Sequence, residues 1–210
     1  MSLSELWSLY GQNYIDALLA TWGMTLESFA IAMMLAVAVT VMRVSPLKPL
    51  RVFGDLYVQV FRNIPGIALL IIVVYALPPL KVVLPYRTCV IVATVLLGSA
   101  FGSVGVGQVE AARSLGMSFS RILAKIVIPQ ALRSSVLPMT NLFIAVMLTT
   151  ALGSQVPLKP QELTGVVSYI NTRSLGGVAA FFISALGYLG TAFVVSHIGN
   201  YIDKKVRILR

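Results

Sequence analysis

The chain has 210 residues, 58 % of them hydrophobic and 11 % charged, with a net charge of +9. Soluble domains carry about 25 % charged residues, so this composition excludes a water-covered globule of such size. The basic residues are spread over loop positions with no single stripe, which argues against a nucleic-acid partner. A single cysteine, Cys89, excludes an intrachain disulfide and fits a small packed residue in an apolar run.

In chain order, Leu3 to Leu19 reads as a short amphipathic lead whose Trp7, Tyr10 and Tyr14 suit a membrane interface, with a frayed terminus as the alternative. No Lys or Arg falls in the first 20 residues, so no cleavable signal peptide is expected. A helix crossing roughly 30 Å of hydrocarbon needs about 20 mostly apolar residues, and five stretches qualify. They run from Thr21 to Met42, Ile64 to Leu84, Arg87 to Val106, Val136 to Gly153 and Gly176 to Ile198. The expected fold is therefore all-α, one polytopic membrane domain over residues 1–210.

Between the third and fourth spans lies a polar island, about residues 108–129. Gln108 to Leu115 has helical composition, and Glu110 in its first turn complements the positive end of the helix dipole. Gly116 fits the left-handed position after a helix, and Ser118 fits the cap of a second one. There Phe119, Ile122, Leu123, Ile126 and Val127 form one apolar stripe, with Arg121 and Lys125 on another face, until Pro129 stops the helix. Such a pair of helices is either a rigid elbow for a soluble partner or an amphipathic segment lying on lipid headgroups. With the island in the cytoplasm, five spans put the N-terminus outside and the C-terminus inside. Twelve of the 16 basic residues then lie inside, and four, Lys81, Arg87, Lys159 and Arg173, lie outside, as the positive-inside rule requires.

Few polar groups fall within the apolar runs, and each is a candidate lining of a pathway. Glu27 sits about one turn inside the first span, where it either faces a cavity or lies close to the outer interface. Arg62 and Asn63, just before Pro65, either start the second span or line a path near its inner end. Asn141 and the pair Thr149 and Thr150 have the same pathway role open to them, against ordinary helix-to-helix hydrogen bonding. His197 has no second histidine or cysteine near it, so no metal site is expected. Gly187 and Gly190 are read as sites of close helix packing. No catalytic constellation and no phosphate-binding loop of the Gly-x4-Gly-Lys-Ser/Thr type is present, so no cofactor is expected and energy has to come from a partner.

The island resembles a known signature. Glu-Ala-Ala-x3-Gly-x9-Ile-x-Leu-Pro marks permease subunits of binding-protein-dependent ABC importers, and this chain matches it at Glu110, Ala111, Ala112, Gly116, Ile126 and Pro129, with Ile128 in place of Leu. The block Tyr57-Val58-Gln59-Val60-Phe61-Arg62-Asn63-Ile64-Pro65 is similar to one in the polar amino-acid branch of that family, and Asn63 is similar to glutamate-type and glutamine-type members. Val106-Gly107-Gln108, Pro129-Gln130-Ala131-Leu132-Arg133, Gly23-Met24-Thr25-Leu26 and Pro138-x-x-Asn141-x-Phe143-Ile144 agree with that branch too, so the resemblance covers about residues 20 to 155. It implies that the island is a coupling helix docked on separate ABC ATPase subunits. It also implies an extracytoplasmic substrate-binding protein and a second permease copy or paralogue, in a cell membrane. Two departures stand out: Phe101 to Gly105 is shorter than the corresponding family segment, and Leu148-Thr149-Thr150-Ala151-Leu152 lacks the family's lysine. Direct substrate contact by this subunit is not carried over there. A permease for another small solute, and a non-transporting scaffold or channel, are the other readings.

Overall fold

A computed structural model describes residues 2–102, 136–173 and 177–206. Among these residues the secondary structure is entirely helical. Helix α1 runs from Leu3 to Val44 without interruption. It starts at a capping box: Glu5 N–H donates to Ser2 Oγ at 3.3 Å, and Ser2 N–H donates back to Glu5 Oε2 at 2.8 Å. Its buried positions, among them Leu6, Tyr14, Ala17, Thr21, Met24, Ser28, Ala32, Ala36 and Val39, recur every three or four residues. The opposite face exposes Trp22, Leu26, Ile31, Met34 and Val37. Apolar residues on both faces are what a helix needs when hydrocarbon replaces water. The separate lead expected at Leu3 to Leu19 is thus a correction: it is continuous with the first span, because no Pro interrupts it.

After a turn at Ser45, helix α2 (Lys48–Asn63) lies against the end of α1, where Arg43 Nε donates to Asp55 Oδ1 at 2.8 Å. Helix α3 (Gly66–Ile71) follows, continued by a π-helical turn at Ile72–Ala76 and a 3₁₀ turn at Pro78–Leu80. The two arms, Lys48–Asn63 and Gly66–Leu80, meet at 104°. The expected second span, Ile64 to Leu84, is therefore only the second arm of a bent pair. Pro65 explains the break: the residue before a proline is driven out of the helical region, and Ile64 is extended at φ −84° and ψ 125°.

Helix α4 (Tyr86–Gly102) matches the start of the expected third span to one residue. Helix α5 (Val136–Thr149) with its 3₁₀ continuation Thr150–Gln155 matches the fourth, and α7 (Gly177–Val206) runs about two turns past the expected C-terminal end of the fifth. Between them a short helix, α6 (Leu163–Asn171), folds back against α1 and α7. Among the described residues three of these helices are long and apolar enough to cross a membrane, or four if the bent pair makes one span, and α4 is apolar but shorter. One core joins α1, α3 and α4 through Met24, Leu70, Val73, Cys89, Val90 and Ala93. A second joins α1, α6 and α7 through Leu6, Tyr14, Ala17, Leu163, Ile170 and Ala180. Cys89 is packed as expected. Gly187 lies against Leu163, whereas Gly190 meets no neighbour, so only the first of that pair serves close packing.

Candidate functional site

The bend between α2 and α3 opens a cavity of about 890 Å³ bounded by α3, α4 and α5. Irregular backbone at membrane depth is tolerated only where protein or a water-filled space covers it, and the Ile64–Gly66 break lies on the wall of this cavity. Gly66 lets the walls meet, since a Cβ there would come within 3.1 Å of Leu97 and 3.3 Å of Leu152. The α4 and α5 walls are mostly aliphatic, with Leu97, Leu142 and Leu148. Polarity enters through Arg62, Asn141, Thr149 and Gln155.

Arg62 projects from the last turn of α2, and its Nε–H donates to the carbonyl of Ala100 at 3.0 Å. One turn earlier, Tyr57 shares a hydrogen bond of 2.7 Å with Ser99 Oγ. Both bonds fasten α2, the first arm of the bent pair, to the end of α4. Asn141 faces the cavity from α5. Thr149 lines it too, while its hydroxyl donates to Ala145 O at 2.8 Å, satisfying the group within its own helix.

Three of the six expected pathway residues thus come together, and three do not. Asn63 Nδ2 donates to Gln59 O at 2.6 Å, a bond local to α2. Thr150 is buried, donating to Met147 O at 2.6 Å. Glu27 stands apart from the cavity, past the middle of the unbroken α1. It meets Arg87 in a two-pronged ion pair of 2.6 and 2.7 Å, with both side chains nearly half exposed. Arg87 lies in the first turn of α4, so this pair ties the start of that helix to α1.

Glu162 is a polar centre that the sequence reading missed. It caps α6: its carboxylate accepts from the N–H groups of Thr164 at 2.7 Å and Gly165 at 2.5 Å. Tyr188 Oη donates to it from α7 at 2.9 Å, and the residue is fully buried. Nearby, Leu163 N–H donates to Thr21 Oγ1 and Ser184 Oγ donates to Leu163 O, tying α6 to both α1 and α7. The only signal was an acid ahead of a nine-residue apolar stretch, and glutamate is not among the favoured helix caps.

The expected coupling residues Glu110, Ala111, Ala112, Gly116, Ile126 and Pro129 lie outside the described residues. Among the described residues no group of three or more His, Cys, Asp or Glu side chains could hold a metal ion, and His197 is stacked on Phe193 with ring centroids 6.5 Å apart.

Known proteins resemble the chain over nearly its whole length. It is 29 % identical to an L-cystine transport system permease protein of Bacillus subtilis, over 95 % of this chain and 91 % of that protein. It is 30 % identical to a glutamate transport system permease protein of Corynebacterium efficiens, over 89 % and 91 %. Among solved structures, an amino acid ABC transporter with histidines superposes with a TM-score of 0.84 at 22 % identity, covering 98 % of this chain and 99 % of that one. An inward-facing methionine ABC transporter gives 0.69 at 20 % identity, covering 99 % and 100 %. The family model described as binding-protein-dependent transport system inner membrane component matches residues 28–208. The chain therefore belongs to the inner membrane components of binding-protein-dependent transport systems.

Proposed function

We propose that this subunit carries a polar amino acid across the membrane through the cavity behind the bent pair, in an ATP-driven importer. The observation that carries the reading is the meeting of Arg62, Asn141 and Thr149 on one 890 Å³ cavity in a family of transport components. A space of that size suits a small solute, and a mainly apolar wall with a few polar groups is the usual composition of a ligand site. The relatives named for cystine and glutamate transport support the amino-acid class.

In this reading the N-terminus is outside and the C-terminus cytoplasmic, and an extracytoplasmic binding protein delivers the solute. Two ATPase subunits dock on the stretch from Glu110 to Pro129, and a second permease, identical or paralogous, completes the pathway. The hinge at Gly116 transmits closure of the ATPases, switching the spans between inward-facing and outward-facing arrangements. ATP hydrolysis belongs to the partner subunits, and this chain has no catalytic part. The signature match at Glu110, Ala111, Ala112, Gly116, Ile126 and Pro129 supports the docking.

The test is uptake of radiolabelled amino acids by cells carrying the complete system. Deletion of this chain abolishes uptake of at least one polar amino acid, and Gly116→Pro abolishes it while the protein still reaches the membrane. Unchanged uptake of every amino acid after deletion overturns the substrate class. Intact uptake in Gly116→Pro, together with failure to co-purify an ATPase subunit, overturns the coupling.

A further inference from the structure

Glu162, in the connection between α5 and α7, is a buried carboxylate that no cation balances. Its Oε1 accepts from Gly165 N–H at 2.5 Å, and its Oε2 accepts from Thr164 N–H at 2.7 Å and from Tyr188 Oη at 2.9 Å. Among the described residues the ion pairs are Arg43–Asp55 and Glu27–Arg87, so no Lys, Arg or His is paired with it. On its other sides stand Gly153, where a Cβ would come within 3.0 Å of Glu162 Cγ, and Thr21 of α1, which holds the N–H of Leu163. Neither titrates, which leaves Tyr188 as the one titratable side chain against it among the described residues. Loss of water disfavours the charged form of a carboxyl, whereas N–H and O–H donors favour it. Burial is the larger influence here and pushes the Glu162 carboxyl above the ordinary carboxylate range, against the pull of the Thr164, Tyr188 and Gly165 donors.

Tyr188 Oη also meets Thr164 Oγ1 at 3.2 Å, a contact in which either oxygen can donate. Both residues line a second cavity, of about 630 Å³, between α6 and α7. A hydroxyl donates and accepts at once, so this row of groups runs in either direction without moving a heavy atom. With Glu162 ionised, Thr164 donates to Tyr188 and Tyr188 donates to Glu162. With Glu162 protonated, its O–H donates to Tyr188, and Tyr188 donates to Thr164.

We propose that Glu162, Tyr188 and Thr164 form a proton-binding site that opens on this second cavity. A hydronium ion in the cavity gives a proton to Thr164 Oγ1, the proton already on Thr164 passes to Tyr188 Oη, and that of Tyr188 passes to Glu162 Oε2. Each hydroxyl ends with one proton, the hydronium becomes water, and the site goes from one negative charge to none. Uptake also turns the charge-assisted bond between α6 and α7 into a neutral, weaker one. No residue of the site belongs to the transport reading, and neither rests on the other.

Infrared spectra of the permease–ATPase complex in lipid nanodiscs, recorded as the pH is raised, follow the C=O stretch of protonated carboxyl groups. The band that Glu162→Gln removes persists above the ordinary range, which centres on about 4 for glutamate. Tyr188→Phe takes away a donor that favours the ionised form and moves the loss of the band to higher pH. A cap that never titrates gives no such shift, and the shift is read without Glu162→Gln having to assemble. With the folded midpoint above the unfolded one, the stability from this group is complete below the unfolded midpoint and is lost as pH rises through the folded one. The Tm gap between the wild type and Glu162→Gln therefore narrows over that interval. Loss of the band within the ordinary range overturns the proposal. A spectrum that Glu162→Gln leaves unchanged does so too, as does an unmoved midpoint in Tyr188→Phe.

Discussion

Glu27 and Glu162 are both carboxylates of the helical bundle, and they are held in opposite ways. Glu27 sits nearly half exposed with one long, flexible partner, Arg87, on another helix. Glu162 is fully buried, and its oxygens are claimed by two backbone N–H groups of its own helix and by the Tyr188 hydroxyl of α7. An exposed ion pair gains little, because solvent screens it and two long side chains lose freedom. A buried acceptor saturated by short donors is costly to disturb, since each donor left behind is stranded away from water. The carboxylate conspicuous in the sequence is thus the less important of the two for stability, and the one that went unread fixes α6 in place.

Glu162→Ala tests the stronger half of that contrast. It removes a helix cap and leaves the Tyr188 hydroxyl with Thr164 Oγ1 alone, at 3.2 Å, and is expected to cost about 3 kcal/mol. Thermal unfolding of the purified complex reads this as a clear fall in Tm. A loss no larger than that of Glu27→Ala ends the comparison.

Tyr188→Phe removes one donor and leaves both N–H caps in place, so about 1 kcal/mol is expected from the same measurement. Glu162→Gln separates charge from shape: it keeps an acceptor oxygen for one N–H but sets an amide donor against the others. Its loss of Tm falls between those of Glu162→Ala and Tyr188→Phe.

The smallest effect belongs to the Glu27–Arg87 ion pair. A double-mutant cycle of Glu27→Ala and Arg87→Ala is expected to give a coupling energy below about 1 kcal/mol, weakening further as salt is raised. A coupling of several kcal/mol that salt leaves unchanged contradicts the exposed character of this site.

Hydropathy revealed the spans whose two ends coincide with a change in composition. Helix α5 covers the apolar run from Val136, where the described residues resume, and the helical path ends at Gln155, two residues beyond the expected Gly153. The continuity of α1 was hidden because the polar residues Gln12, Asn13 and Asp16 dilute its first half without breaking the helix. Helix α2 was read as a cytoplasmic connection because charged Lys48, Arg51 and Asp55 alternate with its apolar positions. Pro65 announced a discontinuity, but a break of 104° that turns one span into two arms needs the packing of both arms to be known. At the candidate site, Arg62, Asn141 and Thr149 were legible as polar residues inside apolar runs. Their convergence was not, because α2 and α5 are distant in sequence. Glu162 and the Arg87 partner of Glu27 were illegible for the same reason: their partners lie 26 and 60 residues away.

The length of α1 has a consequence for the lipid around it. Forty-two residues at about 1.5 Å per residue make a rod of roughly 63 Å, about twice the thickness of the hydrocarbon layer. Even at the steep end of ordinary tilts, about 40°, its projection is close to 48 Å, so roughly a third of the rod leaves the oily layer. Its two tryptophans, the only ones in the chain, mark two levels of it. Trp22 is 42 % exposed and satisfies its indole N–H on Thr191 Oγ1 at 3.0 Å. Trp7, 15 residues nearer the terminus and 52 % exposed, stands about 22 Å farther along the rod. The helix carries its own depth gauge.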